Sequence, residues 1–470
     1  MPLGSCLTHP TPIARIIPAA CTRRQEDGET MRRNIVHVGA GSLTYAIREI
    51  VEVASRFERL GMTITWENIG DPVAKGEKVA PWIRQIMHDL VDEDASWAYC
   101  DTAGVPATRQ FLAEQVNARG GVQVTPNDII FFNGIGDAVA KVYGYLRREA
   151  RILGPTPAYS THSSAEAAHS GYQHLTYELD PYNHWMPDLD DIRLKVKYND
   201  SIAGILVINP DNPTGAVYPR SVLEEIVEIA RRHGLFIITD EIYAHIVYNG
   251  NQALHLSEVA GDVCGLAMRG ISKEVPWPGS RCGWIEVLNR DKDEMFSTYV
   301  GSLLASKRLE VCSTTLPQMA IPRMMGDPRW PGHLKTRAAV YEARAKEAVS
   351  ILSGIEGVKV NEPSGAFYLT VMFEDGALNS RQTLKITNPQ VRQMVESLVV
   401  KCPDDQRFVY YLLDATGICV VPLSGFYCQR PGFRITLLEC DDEKRVWTLR
   451  TIADALREYT GKPAPAAATA

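Results

Sequence analysis

Several signatures are missing from this chain, and each absence removes a class of function. The ten cysteines, from Cys6 to Cys440, include no CxxC pair and no metal-ligand spacing, so no structural zinc site and no disulfide framework is expected. They read as reduced, mostly buried small residues of a cytosolic protein. No apolar run approaches a membrane span; the longest are short pieces such as Gly204–Ile208. Basic residues number 49 against 56 acidic ones, for a net charge of −7. Without a basic excess to displace counterions, a nucleic acid is not the expected partner. No internal repeat is visible.

What is present is ordinary for a soluble globular protein: 45% hydrophobic and 22% charged residues. At 470 residues the chain exceeds one small core. Residues 1–30 are rich in Pro, Thr and Arg, lack an apolar segment, and hold no acid before Glu26. They read as a disordered extension or an upstream start rather than a secretory signal, with a weak organellar presequence as the alternative. Residues 461–470 read as a low-complexity tail. The expected location is the cytoplasm.

From Tyr45 to Leu60 apolar residues recur at helical spacing (Ile47, Ile50, Val51, Ala54, Phe57). VGAGS, Val38–Ser42, is half a dinucleotide fingerprint and reads better as a turn into that helix. Helices are expected from about Pro81 to Val91 and from Pro106. The alternation then becomes regular: DIIFF, NGIGDA and VAKVYGYL as strand, turn and helix, then strands at ARILGPTPAYS, HLTYEL, Ile202–Pro210 and Leu235–Tyr243. A helix ending in glycine, VLEEIVEIARRHG, separates the last two. Such alternation specifies an α/β fold with a mostly parallel central sheet covered by helices. Past Val311 the texture changes. A long helix (about 331–352), the strand AFYLTVMF, a charged stretch over 374–407 and a closing helix (442–459) read as a smaller α+β part. The expected division is a large domain at 76–325 and a small one formed by both chain ends, 31–75 and 326–460.

In parallel sheets ligands sit beyond the carboxyl ends of the strands, and chemistry-bearing residues follow several of these strands. NPDNPTG, Asn209–Gly215, is a rigid turn whose Asn212 amide can donate to an anion, or a plain polar turn. Asp240 ends a buried strand, where a carboxylate requires a cationic partner unless it only caps a helix. Tyr243 can bring a hydroxyl to the same place or serve as core packing. Lys273 follows the small residues Gly270, Ile271 and Ser272, with Arg281 eight positions on between Gly279 and Gly283. A lysine after a serine is more commonly a solvated surface residue. A dry pocket or a neighbouring cation would instead depress its pKa and make it a nucleophile.

Taken in order, NIGDP (68–72), Tyr99–Gly104, NGIGDAV (133–139), PTPAY (155–159), NPDNPTG, DEIY (240–243), SKEVPWPGSRCGW (272–284) and FRITLLE (433–439) resemble the pyridoxal-phosphate-dependent class I/II aminotransferases of fold type I. No single piece is specific; their order and combination are.

The resemblance implies that Lys273 carries pyridoxal 5′-phosphate as a Schiff base and later shuttles a proton. Asp240 would pair with the ring nitrogen, Tyr243 and Asn212 would donate to the 3-oxygen, and Tyr159 would stack on the ring. Gly134, Ile135 and Gly136 would offer N–H groups to the phosphate at a helix start. Arg281 and Ser272 would assist, Gly270 standing where many relatives have a hydroxyl residue. Tyr99 would reach the phosphate of a neighbouring subunit, which implies a homodimer with composite sites.

Arg434 resembles the fork that grips the substrate α-carboxylate, with Gly70 and Asn212 beside it; its plain alternative is a strand-edge surface arginine. Leu423 in VPLSGFY stands where relatives carry glycine, and Tyr427 is a candidate contact. Arg308, Lys307 and Arg323 are candidates for reading a second carboxylate from a partner subunit. No metal is expected. The implied reaction is ping-pong transfer of an amino group from an L-amino acid to a 2-oxo acid such as 2-oxoglutarate, with alanine-type or broad specificity. The alternatives are a carbon–sulfur β-lyase or related α,β-eliminating enzyme on the same fold, and a non-catalytic regulator that senses an amino acid or cofactor.

Overall fold

Short apolar strands separated by helices must line up and be covered on both faces if they are to bury their side chains. The computed structural model, which describes residues 35–37, 39–42, 46–252 and 254–461, has that arrangement. The expectations for residues 1–30, for the tail beyond Gly461, and for Val38 and Tyr45 lie outside the described residues.

The central sheet has eight strands, in the spatial order Ile129–Phe132, Gly283–Leu288, Gly265–Gly270, Phe236–Asp240, Ile202–Ile208, Arg151–Thr156, Leu175–Asp180 and Met186–Pro187. From Gly265–Gly270 to Leu175–Asp180 all neighbours run parallel. Gly283–Leu288 is antiparallel to both its neighbours, and Met186–Pro187 is antiparallel at the far edge. Alternate residues feed two cores. Phe131, Ile205, Val207, Ile237 and Trp284 face one side; Ile130, Leu206, Ile208, Ile238 and Ile285 face the other. Each such fully buried side chain contributes about 1.5–3 kcal/mol.

The N-terminal helix Ala46–Arg59 buries Ile50, Ala54 and Phe57 in the same core as Phe408, Leu412, Ile452 and Leu456. Strand Thr65–Trp66 pairs in parallel with Ile418–Cys419. Beside them lies an antiparallel sheet of Val358–Val360, Tyr368–Phe373, Gly432–Thr436 and Val421–Pro422.

Local signals account for several boundaries. Proline opens the helices Pro81–Val91 and Pro106–Ala118. Gly234, at φ 64°, stops Arg220–His233. The helix expected over VAKVYGYL begins earlier, at Ile135, because Gly134 at φ 83° caps it. Among the helices that the apolar pattern does not mark are Ser160–Ser170, Leu189–Tyr198, Glu294–Leu309 and Thr315–Met325. The first, STHSSAEAAHS, has no large apolar residue to mark a face. The charged stretch 374–407 contains the helix Pro389–Leu398 and the start of Asp404–Thr416.

Candidate active site

A cavity of about 320 Å³ opens beyond the carboxyl ends of the central strands. Gly70, Ile135, Gly136, Tyr159, Asn212, Asp240, Tyr243, Ser272, Lys273, Arg281 and Arg434 all line it. Most arrive by the same local rule, just after a strand. Ile135 and Gly136 follow Ile129–Phe132, Tyr159 follows Arg151–Thr156, Asn212 follows Ile202–Ile208, and Lys273 follows Gly265–Gly270. Asp240 is the last residue of its own strand.

Lys273 donates from Nζ to the carbonyl of Gly70 at 2.6 Å. Burial pushes its pKa down to about 8; Arg434 and Arg281 push the same way, against Asp71 and Asp240. The turn that carries it is held from behind by Arg337 of the long helix Trp330–Leu352. The Nη1 of Arg337 donates to the carbonyls of Lys273 and Glu274 at 2.6 and 2.9 Å, while its Nε meets Glu77 at 2.5 Å.

Asp240 is 3% exposed. Its Oδ1 accepts the Ile242 N–H at 3.1 Å, and its Oδ2 lies 3.1 Å from Nε2 of His162. The next residue, Glu241, belongs to the other side of the sheet, where His255 lies 2.5 Å away. Burial works against the Glu241 charge, yet His255 and Arg269 hold that carboxyl at about 2.

Arg434, 1% exposed, donates from Nη1 to Oδ1 of Asn212 at 3.1 Å and from Nη2 to the carbonyl of Asn68. Its guanidinium lies over the ring of Tyr368 at 4.3 Å. Gly70 must be glycine, since a Cβ there would sit 2.1 Å from the Tyr368 hydroxyl. The surface-arginine alternative for Arg434 therefore does not hold.

Arg281 adopts a left-handed conformation at φ 48° and donates to the Pro278 carbonyl at 3.0 Å. A Cβ on Gly134 would meet its Nη2 at 2.6 Å, so the guanidinium lies against the bare glycine. One expectation needs correction here. The N–H of Gly134 already donates to the Phe132 carbonyl at 2.8 Å. The N–H groups left for an anion are those of Ile135 and Gly136, in a first turn without intrahelical acceptors.

Other expected residues lie elsewhere. Tyr99 is 83% exposed and does not line the cavity of its own chain. Tyr427 turns away: its hydroxyl is 3.1 Å from Ser164 Oγ and its ring centroid 4.3 Å from that of His174. Lys307 is buried against Glu310 and Ser313, Arg323 pairs with Glu93, and Arg308 is exposed. Leu423 is fully buried. Lining residues outside the motifs include Val51, Thr161 and Tyr368. His162 does not line the cavity itself and meets it only through Asp240. Among the described residues no helix is long and apolar enough to cross a membrane, and no cluster of three or more His, Cys, Asp or Glu could hold a metal ion.

The family model for aminotransferase class I and II matches residues 68–448. The chain belongs to the class I and II aminotransferases. An uncharacterized aminotransferase of Methanocaldococcus jannaschii is 56% identical over 429 residues, 91% of this chain and 99% of the relative. The glutamate-pyruvate aminotransferase of Escherichia coli is 34% identical over 333 residues, 70% of this chain and 80% of that one. Among solved structures, an alanine aminotransferase from Pyrococcus furiosus superimposes with a TM-score of 0.78 at 27% identity, covering 89% of this aminotransferase and 99% of that chain.

Aminotransferases of this family depend on pyridoxal phosphate, and the residues of the cavity fit that group. A phosphate would find two first-turn N–H groups and a guanidinium packed on a bare glycine. A ring nitrogen would find a buried carboxylate already held in place. An aldehyde would find a half-buried amine of lowered proton affinity.

Proposed function

We propose that the enzyme moves the α-amino group of an L-amino acid to a 2-oxo acid, 2-oxoglutarate foremost, in two successive half-reactions at one site. The donor is of alanine type or broad range. One observation carries this reading: a buried arginine fork, Arg434, lines the same cavity as Lys273, an amine whose pKa burial has brought down to about 8. A fork beside a nucleophilic amine suits a substrate that presents a carboxylate and an amino group on one carbon. The names of the Escherichia coli and Pyrococcus furiosus proteins support the alanine-type lean.

In this reading Arg434 grips the α-carboxylate, with Gly70 and Asn212 closing on it. Lys273 holds the cofactor and then moves a proton at the substrate Cα. When bound, pyridoxal phosphate supplies the electron sink that lets a bond to that carbon break. Asp240, steadied by His162, faces the ring nitrogen and keeps it protonated. Tyr243 and Asn212 donate to the 3-oxygen, and Tyr159 covers one face of the ring. Ile135, Gly136, Ser272 and Arg281 take the phosphate, with Gly134 making room.

The exposed ring of Tyr99 supports a homodimer in which the partner subunit's Tyr99 completes the phosphate site. The division into a large part, 76–325, and a small part, 31–75 with 326–460, is supported by the pairing of Thr65–Trp66 with Ile418–Cys419. A cytoplasmic location completes the proposal.

The deciding experiment is a half-reaction screen on the cofactor-loaded enzyme, following visible absorption as each proteinogenic amino acid is added alone. Alanine and glutamate are expected to convert it, and 2-oxoglutarate to restore it. Steady release of pyruvate and ammonia without an acceptor would make it a β-lyase instead. Borohydride reduction is expected to fix the cofactor's mass on the peptide containing Lys273, and Lys273→Ala to lose both colour and activity.

A further inference from the structure

Tyr368 opens the strand Tyr368–Phe373, is buried, and lines the cavity with Lys273 and Asp240. Its hydroxyl lies 2.9 Å from the hydroxyl of Tyr243, and its ring lies beneath the Arg434 guanidinium. Two neighbouring phenols share one hydrogen bond, and the more acidic one is the better donor. A cation over the face of a ring draws on its π electrons and makes that phenol the more acidic partner. Tyr368 is therefore the donor and Tyr243 the acceptor, which leaves the Tyr243 proton for an acceptor in the cavity. A bond donated into Tyr243 also strengthens the bond that Tyr243 donates onward.

We propose that Tyr368 is a positioning residue that sets the donor strength of Tyr243 towards the 3-oxygen of the bound cofactor, while its ring holds the Arg434 fork. The proposal rests on the role given above to Tyr243. The charged and titratable groups facing this pair are Asp240, Asp71, Lys273, Arg281, Arg434 and Tyr159.

Tyr368→Phe removes the hydroxyl and keeps the ring. In the cofactor-loaded variant, the pH midpoint of the visible absorption change is expected to rise by about 0.5–1 unit, the scale of one hydrogen bond. The rise follows because a weaker donor at the 3-oxygen stabilises the unprotonated form less. The KM for the amino donor is expected to change less than about twofold in Tyr368→Phe and to rise about tenfold in Tyr368→Leu, which loses the ring. Tyr243→Phe is expected to raise the midpoint further, and the double variant with Tyr368→Phe to match Tyr243→Phe alone.

An unchanged or lowered midpoint in Tyr368→Phe overturns the proposal, as does a double variant that exceeds Tyr243→Phe. Equal KM increases in the Phe and Leu variants overturn the assignment of the fork to the ring. A Tyr243→Phe midpoint equal to that of the parent enzyme overturns the role of Tyr243 itself, and this proposal with it.

Discussion

Nε2 of His162 lies 3.1 Å from Oδ2 of Asp240, with both side chains buried. The histidine comes from the helix Ser160–Ser170, directly behind the strand end that carries the carboxylate. Removing it leaves Asp240 with the Ile242 N–H at its other oxygen. His162→Ala is therefore expected to weaken cofactor binding about tenfold, and His162→Gln less. Equilibrium titration with pyridoxal phosphate, read by fluorescence, checks this; unchanged affinity in the alanine variant would show the bond to be idle.

The lowered proton affinity of Lys273 has a kinetic signature. Its amine is nucleophilic only when unprotonated, and the midpoint is about 8. The rate at which the cofactor-free enzyme takes up pyridoxal phosphate should rise through pH 8 and level off above about 9, whereas an ordinary lysine would go on gaining to beyond pH 10. Stopped-flow absorbance at fixed cofactor concentration measures the profile. A rate still climbing at pH 10 would contradict a depressed amine.

Arg434 makes two directed bonds inside the protein and lies on the ring of Tyr368, so its fork is already oriented. Lysine at that position keeps the charge and loses the geometry. Arg434→Lys is expected to raise KM for the amino donor and for the oxo acid alike, each about 30–100-fold, in line with a charge-assisted bidentate pair. A change confined to one substrate would mean that Arg434 reads something other than the shared carboxylate.

Asp211, next to Asn212, is fully buried, and burial raises its carboxyl pKa to about 7 despite donors from Thr214. A group whose pKa is higher folded than unfolded takes up a proton on folding. It therefore costs nothing at pH below the unfolded value, costs progressively more from about pH 4 to 7, and the cost is constant above. Asp211→Asn removes this pH dependence. Its stability relative to the parent should improve between pH 4 and pH 8 by on the order of 1–3 kcal/mol. Denaturant melts at the two pH values test it; an identical difference at both would place the proton elsewhere.

The residues that could be read from sequence share a simple address. Asn212, Asp240 and Lys273 each stand at or just beyond an apolar run that could only be a buried strand, and a parallel sheet gathers such positions at one edge. Tyr368 had no such address. It sits inside AFYLTVMF, where an aromatic reads as core, and its partner Tyr243 is far away in sequence. His162 lies among serines and alanines without periodicity, so neither its helix nor its neighbour was visible. Tyr427 failed for a different reason. At φ 61° it closes a short turn anchored by buried Leu423 and Phe426, and that turn aims the ring at His174. Gly134 is bare where the Arg281 guanidinium lies, a contact that only the folded chain reveals, and its N–H is taken by the Phe132 carbonyl.

The parallel pairing of Thr65–Trp66 with Ile418–Cys419 bears on how the molecule is made. Asn68 and Gly70 follow the first of these strands, while Arg434 belongs to a segment synthesised long after them. On the ribosome, the sheet that presents Asp240 and Lys273 can assemble while the early strand still waits for its neighbour. The side of the cavity that holds Gly70 and Arg434 is therefore completed after the side that holds Asp240 and Lys273.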